Sequence, residues 1–454
     1  MAFLFPDKDK VSMKRILTIA ASDSGGGAGI QADLKTIALM GSFGMTAITA
    51  LTAQNTTGVK TIQKIPVSFI AKQIDAVISD LGVDAVKTGM LVDTKVVETV
   101  SHKLRDYHIT KVIVDPVMLS KSGVPLMTKE ACASLKRELI PLAFLITPNL
   151  YEASTITGKK VEKVTNMKEA SKKIHQMGAQ NVLIKGGHLK GKPVDILYDG
   201  KEFHEFDSER IKTKNTHGTG CVFSAAIATE IAKGVPLVKA VKHAKDFITT
   251  SIRFSLDLGK GCGPVNPYAP FTQHQEIMKC SNELKHALKK LKEGNVGHLI
   301  PEVQSNLGYA LPHANNLQEV LAFPGRIIRL NRSITTVADP APGASRHIAQ
   351  IILTMMKYRS DLRSAINIRY SPEIIRKCRK LKFKTGTFNR KDEPKIIKNK
   401  EGASLNWGIE NILSKKRAIP DIIYDLGDIG KEPIVRVIGR NPREVVDMVL
   451  KIGT

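Results

Sequence analysis

An α/β protein of two domains is predicted, and three observations predict it. Short apolar runs alternate with helical stretches over residues 12–270, a Pro/Gly-rich segment breaks the pattern at 263–270, and a similar alternation resumes over 275–454. The 454 residues also exceed one ordinary domain. Runs at 16–20, 85–88, 112–114, 144–146 and 182–184 are apolar without alternation, so they read as strands buried on both faces. Stretches 28–40, 67–81, 93–107, 128–139 and 167–178 carry apolar residues at helical spacing. Strand and helix in turn imply a largely parallel sheet with helices on both sides, whose ligands bind beyond the carboxyl ends of the strands.

Polar and glycine-rich segments follow those strands, as such a site requires. After the first comes Ala21-Ser22-Asp23-Ser24-Gly25-Gly26-Gly27-Ala28-Gly29, which ends in no Gly-Lys-Ser/Thr and is not a dinucleotide fingerprint. Its glycines permit close approach of a ligand or simply a flexible turn, and Asp23 is suited to accept from an amino or hydroxyl group. Asp115 and Glu152 stand at later strand ends as hard ligands for water-held Mg²⁺, with Asn149 placed to orient a phosphate oxygen. The Asn149 and Glu152 spacing equally fits a helix capping box. Lys185 follows another strand and either neutralises phosphate charge or caps a turn. Asn215-Thr216-His217-Gly218-Thr219-Gly220-Cys221 is a glycine turn entering an apolar helix from about 221 to 233. Such a turn gathers N–H groups and a helix dipole into an anion seat, or it is a tight turn alone. Cys221 in the first helical turn is expected to favour its thiolate and take a proton from an alcohol.

Together these segments resemble the hydroxymethylpyrimidine/phosphomethylpyrimidine kinases of thiamine biosynthesis. The resemblance rests on Ala-Gly-Ile-Gln-Ala-Asp-Leu-Lys-Thr (28–36), Ile-Thr-Ala-Leu-Thr-Ala-Gln-Asn-Thr (48–56) and Lys-Thr-Gly-Met-Leu (87–91). It continues in Ile-Thr-Pro-Asn-Leu-Tyr-Glu-Ala (146–153), Lys-Gly-Gly-His (185–188) and Asn-Thr-His-Gly-Thr-Gly-Cys (215–221). It implies a ribokinase-like three-layer α/β/α domain that uses ATP and Mg²⁺ to phosphorylate hydroxymethylpyrimidine and then its monophosphate. Asp23, Gly25, Gln54, Met90 and Val117 would form the pyrimidine pocket, Met90 and Val117 as apolar walls. Asp115 and Glu152 would serve the metal, and Asn149, Lys185 and Thr219 the nucleotide phosphates. Gly218, Gly220 and Cys221 would form the catalytic anion hole, Cys221 standing where ribokinases proper have an aspartate base. His217 is expected to pack its loop.

Beyond the break at 263–270, residues 276–291 read as an amphipathic helix with Ile277, Leu284, Leu288 and Leu291 on one side. Strands at 326–330, 365–368, 422–425 and 433–437, with helices at 345–359 and 372–380, make a second, smaller α/β domain. Ser345 opens a helix carrying Arg346 and His347, which is either an anion site or a capped helix with solvated basic residues. Pro-Gly-Arg (324–326), Ala-Asp-Pro-Ala-Pro-Gly-Ala-Ser-Arg-His (338–347), Ala-Ile-Asn-Ile-Arg-Tyr (365–370) and Gly-Ile-Glu (408–410) are similar to the thiamine-phosphate synthase domain that is not a TIM barrel. By that resemblance Arg326 and His347 are its critical pair, expected to hold departing pyrophosphate with a guanidinium and an imidazolium while thiazole phosphate is joined to the pyrimidine. Relatives that only sense thiamine phosphate, and pyridoxal-type vitamin kinases, are the competing readings.

Composition excludes other classes. The net charge of +25 is shared out: residues 1–270 hold 36 Lys and Arg against 25 Asp and Glu, and 271–454 hold 32 against 18. Cations form only short clusters, such as 376–380 and 415–417, and aromatics are 5%, so no nucleic-acid partner is expected. No apolar run nears the ~20 residues of a membrane span, and the first ten residues lack a secretory pattern. Five cysteines at 132, 221, 262, 280 and 378 form no C-x-x-C pair, which argues against zinc and disulfides and for a reducing cytoplasm. The expected partners are small molecules, and the resemblance to the kinase family implies a homodimer or higher homo-oligomer.

Overall fold

A computed structural model describes residues 13–120, 123–394, 403–415, 419–428 and 430–454. Lys416 and Arg417 of the basic cluster at 415–417, and the first ten residues, lie outside the described residues. The chain divides into two compact units, Met1–Pro270 and Phe271–Thr454.

In the first unit nine strands form one sheet: β1 (Arg15–Asp23), β2 (Phe43–Asn55), β3 (Gly58–Lys64), β4 (Ala85–Thr88), β5 (Val112–Val114), β6 (Leu145–Ile146), β7 (Asn181–Ile184), β8 (Val194–Tyr198) and β9 (Phe203–Asp207). Their order is β3-β2-β1-β4-β5-β6-β7-β8-β9. The six strands from β2 to β7 run parallel, and antiparallel β3 and β8-β9 close the edges. Alternation along each strand sorts its side chains between two helical layers. Leu17, Ile19, Val86, Val112, Val114 and Ile184 join one core with Ile70, Ile74, Val97 and Ile174 from the helices Val67–Leu81, Thr94–Asp106 and Val164–Gln176. Ile16, Ala85 and Ile113 face the opposite way, onto Ile37 of helix Gly29–Leu39 and Ala225, Ala228 and Ala232 of helix Thr219–Ala232. Those alanines let the Thr219–Ala232 helix lie close against the sheet, which explains why it is apolar nearly all round.

The strands expected from apolar runs are present, and β2, β3, β8 and β9 are additions. β2 mixes Gly, Thr and Ala, and β3 is an exposed edge, so neither carries a continuous apolar run. The helix expected at 128–139 is α-helical only over Lys129–Ser134 and continues as a π-helical turn over Leu135–Leu139.

In the second unit β10 (Leu307–Ala310), β11 (Val320–Ala322), β14 (Ala341–Pro342), β15 (Ser364–Arg369), β16 (Thr385–Thr387), β17 (Ile422–Asp425) and β18 (Ile434–Gly439) form a sheet ordered β14-β11-β10-β15-β18-β17-β16. Only β16 and β17 pair in parallel. A separate hairpin joins β12 (Ile327–Leu330) and β13 (Ser333–Thr336). Ile366, Ile368, Val435 and Val437 face the helices Ala269–Glu293 and Pro442–Gly453, while Ala365 and Ile438 face Arg346–Tyr358 and Ala403–Lys415. The amphipathic helix expected at 276–291 is therefore longer than its apolar stripe. No helix among the described residues is long and apolar enough to cross a membrane.

One buried amide fixes where the chain leaves β11. Asn306 Nδ2 donates to the Phe323 carbonyl at 2.9 Å and its Oδ1 accepts from the Phe323 N–H at 3.0 Å. Asn367 Oδ1 accepts from the Asn306 N–H at 2.8 Å, so Pro324-Gly325-Arg326 is anchored through two asparagines. Asn306→Ala would leave both Phe323 backbone groups unpaired in the interior, and about 2–4 kcal/mol of lost stability is expected in denaturant unfolding of the full chain.

Candidate active site

Strand ends in the first unit surround a cavity of roughly 730 Å³. Asp23, Gln54, Met90, Asp115, Val117, Asn149, Glu152, Lys185 and the run from Gly218 to Cys221 all line it. Of the residues expected there from sequence, Gly25 does not line the cavity. Its N–H instead donates to Asp23 Oδ1 at 2.8 Å.

The anion seat is built by glycines that admit no side chain. Gly218 precedes the Thr219–Ala232 helix at φ 81°, and a Cβ there would lie 1.8 Å from the Gly27 carbonyl oxygen. Gly29, at φ 56°, would bring a Cβ to 2.3 Å from the Ala21 carbonyl oxygen. The two glycine-rich segments thus close on each other. A Cβ on Gly220 would stand 3.4 Å from both Asp115 Oδ2 and Lys185 Nζ, so the first helical turn faces that ion pair at van der Waals distance. First-turn N–H groups have no partner within their own helix and point into this space. Thr219 is turned back on its own loop, its Oγ1 donating to the Thr216 carbonyl at 2.7 Å and its N–H to the same oxygen at 3.4 Å.

Charges around the seat are arranged in pairs. Lys185 Nζ lies 2.8 Å from Asp115 Oδ1. Burial opposes ionisation of Asp115, but the Lys185 and Lys87 cations hold its pKa below the ordinary value. Burial pushes Glu152 the other way, up to about 7, with Lys185 opposing and Asp115 adding to the rise. The capping reading of Asn149 and Glu152 is the one the structure displays. Glu152 N–H donates to Asn149 Oδ1 at 2.9 Å, and Asn149 N–H to Glu152 Oε2 at 2.7 Å. Asn149 therefore has its amide oxygen engaged, and Glu152 turns one carboxylate oxygen into its own helix start.

Three sequence expectations need correction. First, Asp23 is largely spent on its own loop, with Oδ2 filled and Oδ1 holding one N–H, although it lines the cavity. Its carboxylate accepts from the N–H groups of Gly25, Gly27 and Ala28 at 2.8, 3.1 and 2.9 Å, and from His217 Nε2 at 2.9 Å. It is the post that holds the glycine loop. His217 packs on Gly27 as expected, with Nε2 also 3.2 Å from Gln54 Nε2. Second, Cys221 is not a favoured thiolate. Burial pushes its thiol up to about 11; Lys87 and the Gly29 N–H work against that rise, and Asp33 and Asp115 add to it. Third, the imidazolium expected at His347 in the second unit is disfavoured. Desolvation first, and then the Arg436, Arg390 and Arg326 cations, lower its pKa to about 4, although the residue is exposed at the surface. Ser345 caps its helix through the Ile348 N–H. Arg326 sits exposed at φ 68°, with Nη1 donating to the Val303 carbonyl.

Lys87 was missed from sequence. It is fully buried on β4, lines the cavity, and pairs with equally buried Asp33 at 2.8 Å, while Thr18 Oγ1 donates to the same carboxylate at 2.6 Å. Burial opposes its charge, yet Asp33, Cys221 and Asp115 hold its pKa above the ordinary value. A lysine inside a strand read as buried on both faces was the available signal. Met90 and Val117 line the cavity and pack with Ala21 and Leu126. At the other end Phe223, Ile248 and Ile252 line the cavity beside a Lys245–Asp195 ion pair of 2.7 Å, none of it anticipated.

A thiol held near pKa 11 makes a specific expectation for reactivity. Alkylation of Cys221 by iodoacetamide, followed by peptide mass mapping, should be slow at pH 7 and still rising above pH 9, whereas an activated thiolate would level off below pH 8.

Comparison with known proteins agrees with this geometry. A family model described as phosphomethylpyrimidine kinase matches residues 23–266, and one described as thiamine-phosphate synthase ThiN matches residues 283–451. The thiamine biosynthesis bifunctional protein ThiED of Geobacter sulfurreducens is 52% identical over 267 residues, 59% of this chain and 54% of that protein. The hydroxymethylpyrimidine/phosphomethylpyrimidine kinase of Bacillus subtilis is 46% identical over 261 residues, 57% of this chain and 96% of the kinase. The chain thus spans about half the length of the bifunctional relative and nearly all of the kinase. Among solved structures, an ADP complex of Bacillus subtilis pyridoxal kinase superposes with a TM-score of 0.54 at 42% identity, covering 57% of this chain and 100% of that one. Pyridoxal kinase from Staphylococcus aureus with AMP-PCP and pyridoxal gives 0.53 at 33% identity, over 57% and 95%. The first unit has the ribokinase-like fold of these kinases, and with more than half of its residues matched the chain belongs to the phosphomethylpyrimidine kinase family.

Proposed function

We propose that the chain carries out consecutive steps of thiamine phosphate formation. The first unit phosphorylates hydroxymethylpyrimidine with ATP and then phosphorylates the monophosphate. The second joins the resulting pyrophosphate to thiazole phosphate and releases pyrophosphate. The observation that carries the kinase step is one cavity with unlike ends: a glycine turn facing the Lys185–Asp115 pair, and an apolar pocket of Met90 and Val117. The hydroxymethyl oxygen attacks the γ-phosphorus in line, the bond to the ADP oxygen breaks, and the hydroxyl proton passes to the Cys221 sulfur, whose own proton has first gone to solvent. Backbone N–H groups from Gly218 to Cys221 take up the charge on the transferred group, and Lys185 balances the phosphates. Gln54 reaches the ring edge. Asp115 and Glu152 suit Mg²⁺ held through water rather than directly, because Asp115 already faces an ammonium and Glu152 a backbone N–H. Mg²⁺ would neutralise β- and γ-phosphate charge there.

In the second unit, departure of pyrophosphate leaves a stabilised pyrimidine-methyl cation that the thiazole nitrogen attacks. Arg326 and His347 bind the departing group, His347 as a neutral imidazole in the free chain. The ThiN match over 283–451 supports this half. The resemblance further implies a cytoplasmic homodimer or higher homo-oligomer. Likeness to the two pyridoxal kinases favours pyridoxal as a second acceptor of the same cavity, measurable as relative turnover on the two alcohols.

The purified chain, given ATP, Mg²⁺, hydroxymethylpyrimidine and thiazole phosphate, is expected to make thiamine phosphate. Cys221→Ala should lower phosphorylation by about 100-fold or more and spare condensation from supplied pyrimidine pyrophosphate. His347→Ala should do the reverse. Phosphorylation without any thiamine phosphate would reduce the second unit to a sensor.

A further inference from the structure

The second unit holds a buried cationic cluster that none of these roles uses. Asp425, at the end of β17, has no exposed side-chain surface. Arg390 straddles its carboxylate, with Nε at 2.7 Å from Oδ1 and Nη2 at 3.3 Å from Oδ2. Arg436 Nη1, from β18, lies 2.8 Å from the same Oδ2, and the Gly427 N–H donates to Oδ1 at 2.9 Å. Both guanidiniums stand 5.8 Å from the centre of the Phe388 ring.

Two guanidiniums share one carboxylate, so this group of three carries a net positive charge in the interior. Arg436 is fully buried, yet its Nε and Nη2 have no hydrogen-bond partner among the described residues. Those two N–H groups lie on one edge of the guanidinium, the side-on fork that fits two oxygens of a phosphate. Asp425 holds Nη1 and leaves that fork idle. The charge of Lys87 in the first unit is matched by one carboxylate, whereas Arg390 and Arg436 share theirs. Idle buried donors on an excess cation are costly unless something fills them. The cluster is also within electrostatic reach of the His347 ring, on which Arg436, Arg390, Asp425 and Arg326 all act.

We propose that Arg390 and Arg436, braced by Asp425, form an anion subsite of the second unit that takes a phosphate or pyrophosphate group of its substrate beside His347. This rests on the condensation reading above. It adds to Arg326 and His347 a forked donor set deep enough to be shielded from water, where charge-assisted hydrogen bonds are strongest.

Calorimetric titration of the full chain with inorganic pyrophosphate tests it. A binding step is expected that Arg390→Gln weakens by about tenfold or more and Arg390→Lys weakens less, since lysine restores the charge but not the fork. Arg436→Lys keeps the buried charge and removes its fork, so it should lose the step as well. Any step belonging to the kinase cavity is untouched by these changes and drops out of the comparison, and circular dichroism checks that each variant folds. Unchanged affinity in folded Arg390→Gln and Arg436→Lys overturns the subsite. A wild-type chain that makes thiamine phosphate but binds pyrophosphate independently of both arginines refutes the subsite alone. One that makes none, yet loses pyrophosphate on Arg390→Gln, refutes the condensation alone.

Discussion

Four donors converge on the carboxylate of Asp23, and the geometry of the kinase site depends on that convergence. Three are N–H groups of the loop that follows β1, and the fourth is the ring of His217, which immediately precedes the helix-opening glycine turn. One side chain thereby sets the distance between two glycine segments far apart in sequence. The contact is close enough that Gly27 and Gly218 leave no room for a Cβ between them, and the Gly29 N–H reaches the Cys221 sulfur. Burial alone would protonate Asp23, but His217 and the loop N–H groups keep it below the ordinary carboxylate range. Oδ2 is filled by these contacts and Oδ1 accepts one of them, so most of this carboxylate serves the loop itself.

Buried ion pairs are weak contributors to net stability, since desolvation offsets much of their attraction. Their placement is more telling than their number. Lys87–Asp33, Lys185–Asp115 and Lys245–Asp195 all touch one cavity, each cation matched by a carboxylate. Matched pairs let lysines wait in fixed positions without an anion present, and an arriving polyphosphate then finds ammonium groups already oriented. The second unit follows a different rule, leaving Arg436 with donors to spare. One unit stores its positive charge neutralised, and the other stores it buried and only partly matched.

Much of this was legible in the sequence. Central strands announced themselves because burial on both faces selects continuous apolar runs, and the strand-end polar segments do converge on one cavity. β2 was not legible, since Gly, Thr and Ala at positions packed by neighbouring strands carry no periodic signal of their own. Roles were harder to read than places. Asp23, Thr219 and Asn149 stand where expected, but their polar atoms are engaged with backbone, and such partners come from segments that sequence spacing does not bring together. Arg390, Asp425 and Arg436 lie on three separate segments and meet only because β17 and β18 are neighbours in the sheet.

The protonated state of Cys221 fits the chemistry better than a resting thiolate would. Phosphoryl transfer passes through a loose transition state in which the attacking oxygen has formed little bond, so the alcohol keeps its proton until late and early deprotonation gains little. What the transferring group needs throughout is an uncontested positive seat, and the N–H groups of the Gly218–Cys221 turn supply it. A thiolate fixed in that turn would be a negative charge inside the same seat, repelling the phosphate before it arrives. Asp33 and Asp115 add to the burial that keeps the proton on sulfur, while Lys87 and the Gly29 N–H stand ready to favour the anion. The seat is thus open to phosphate at rest, and for the sulfur to act as a base its own proton must first pass to solvent.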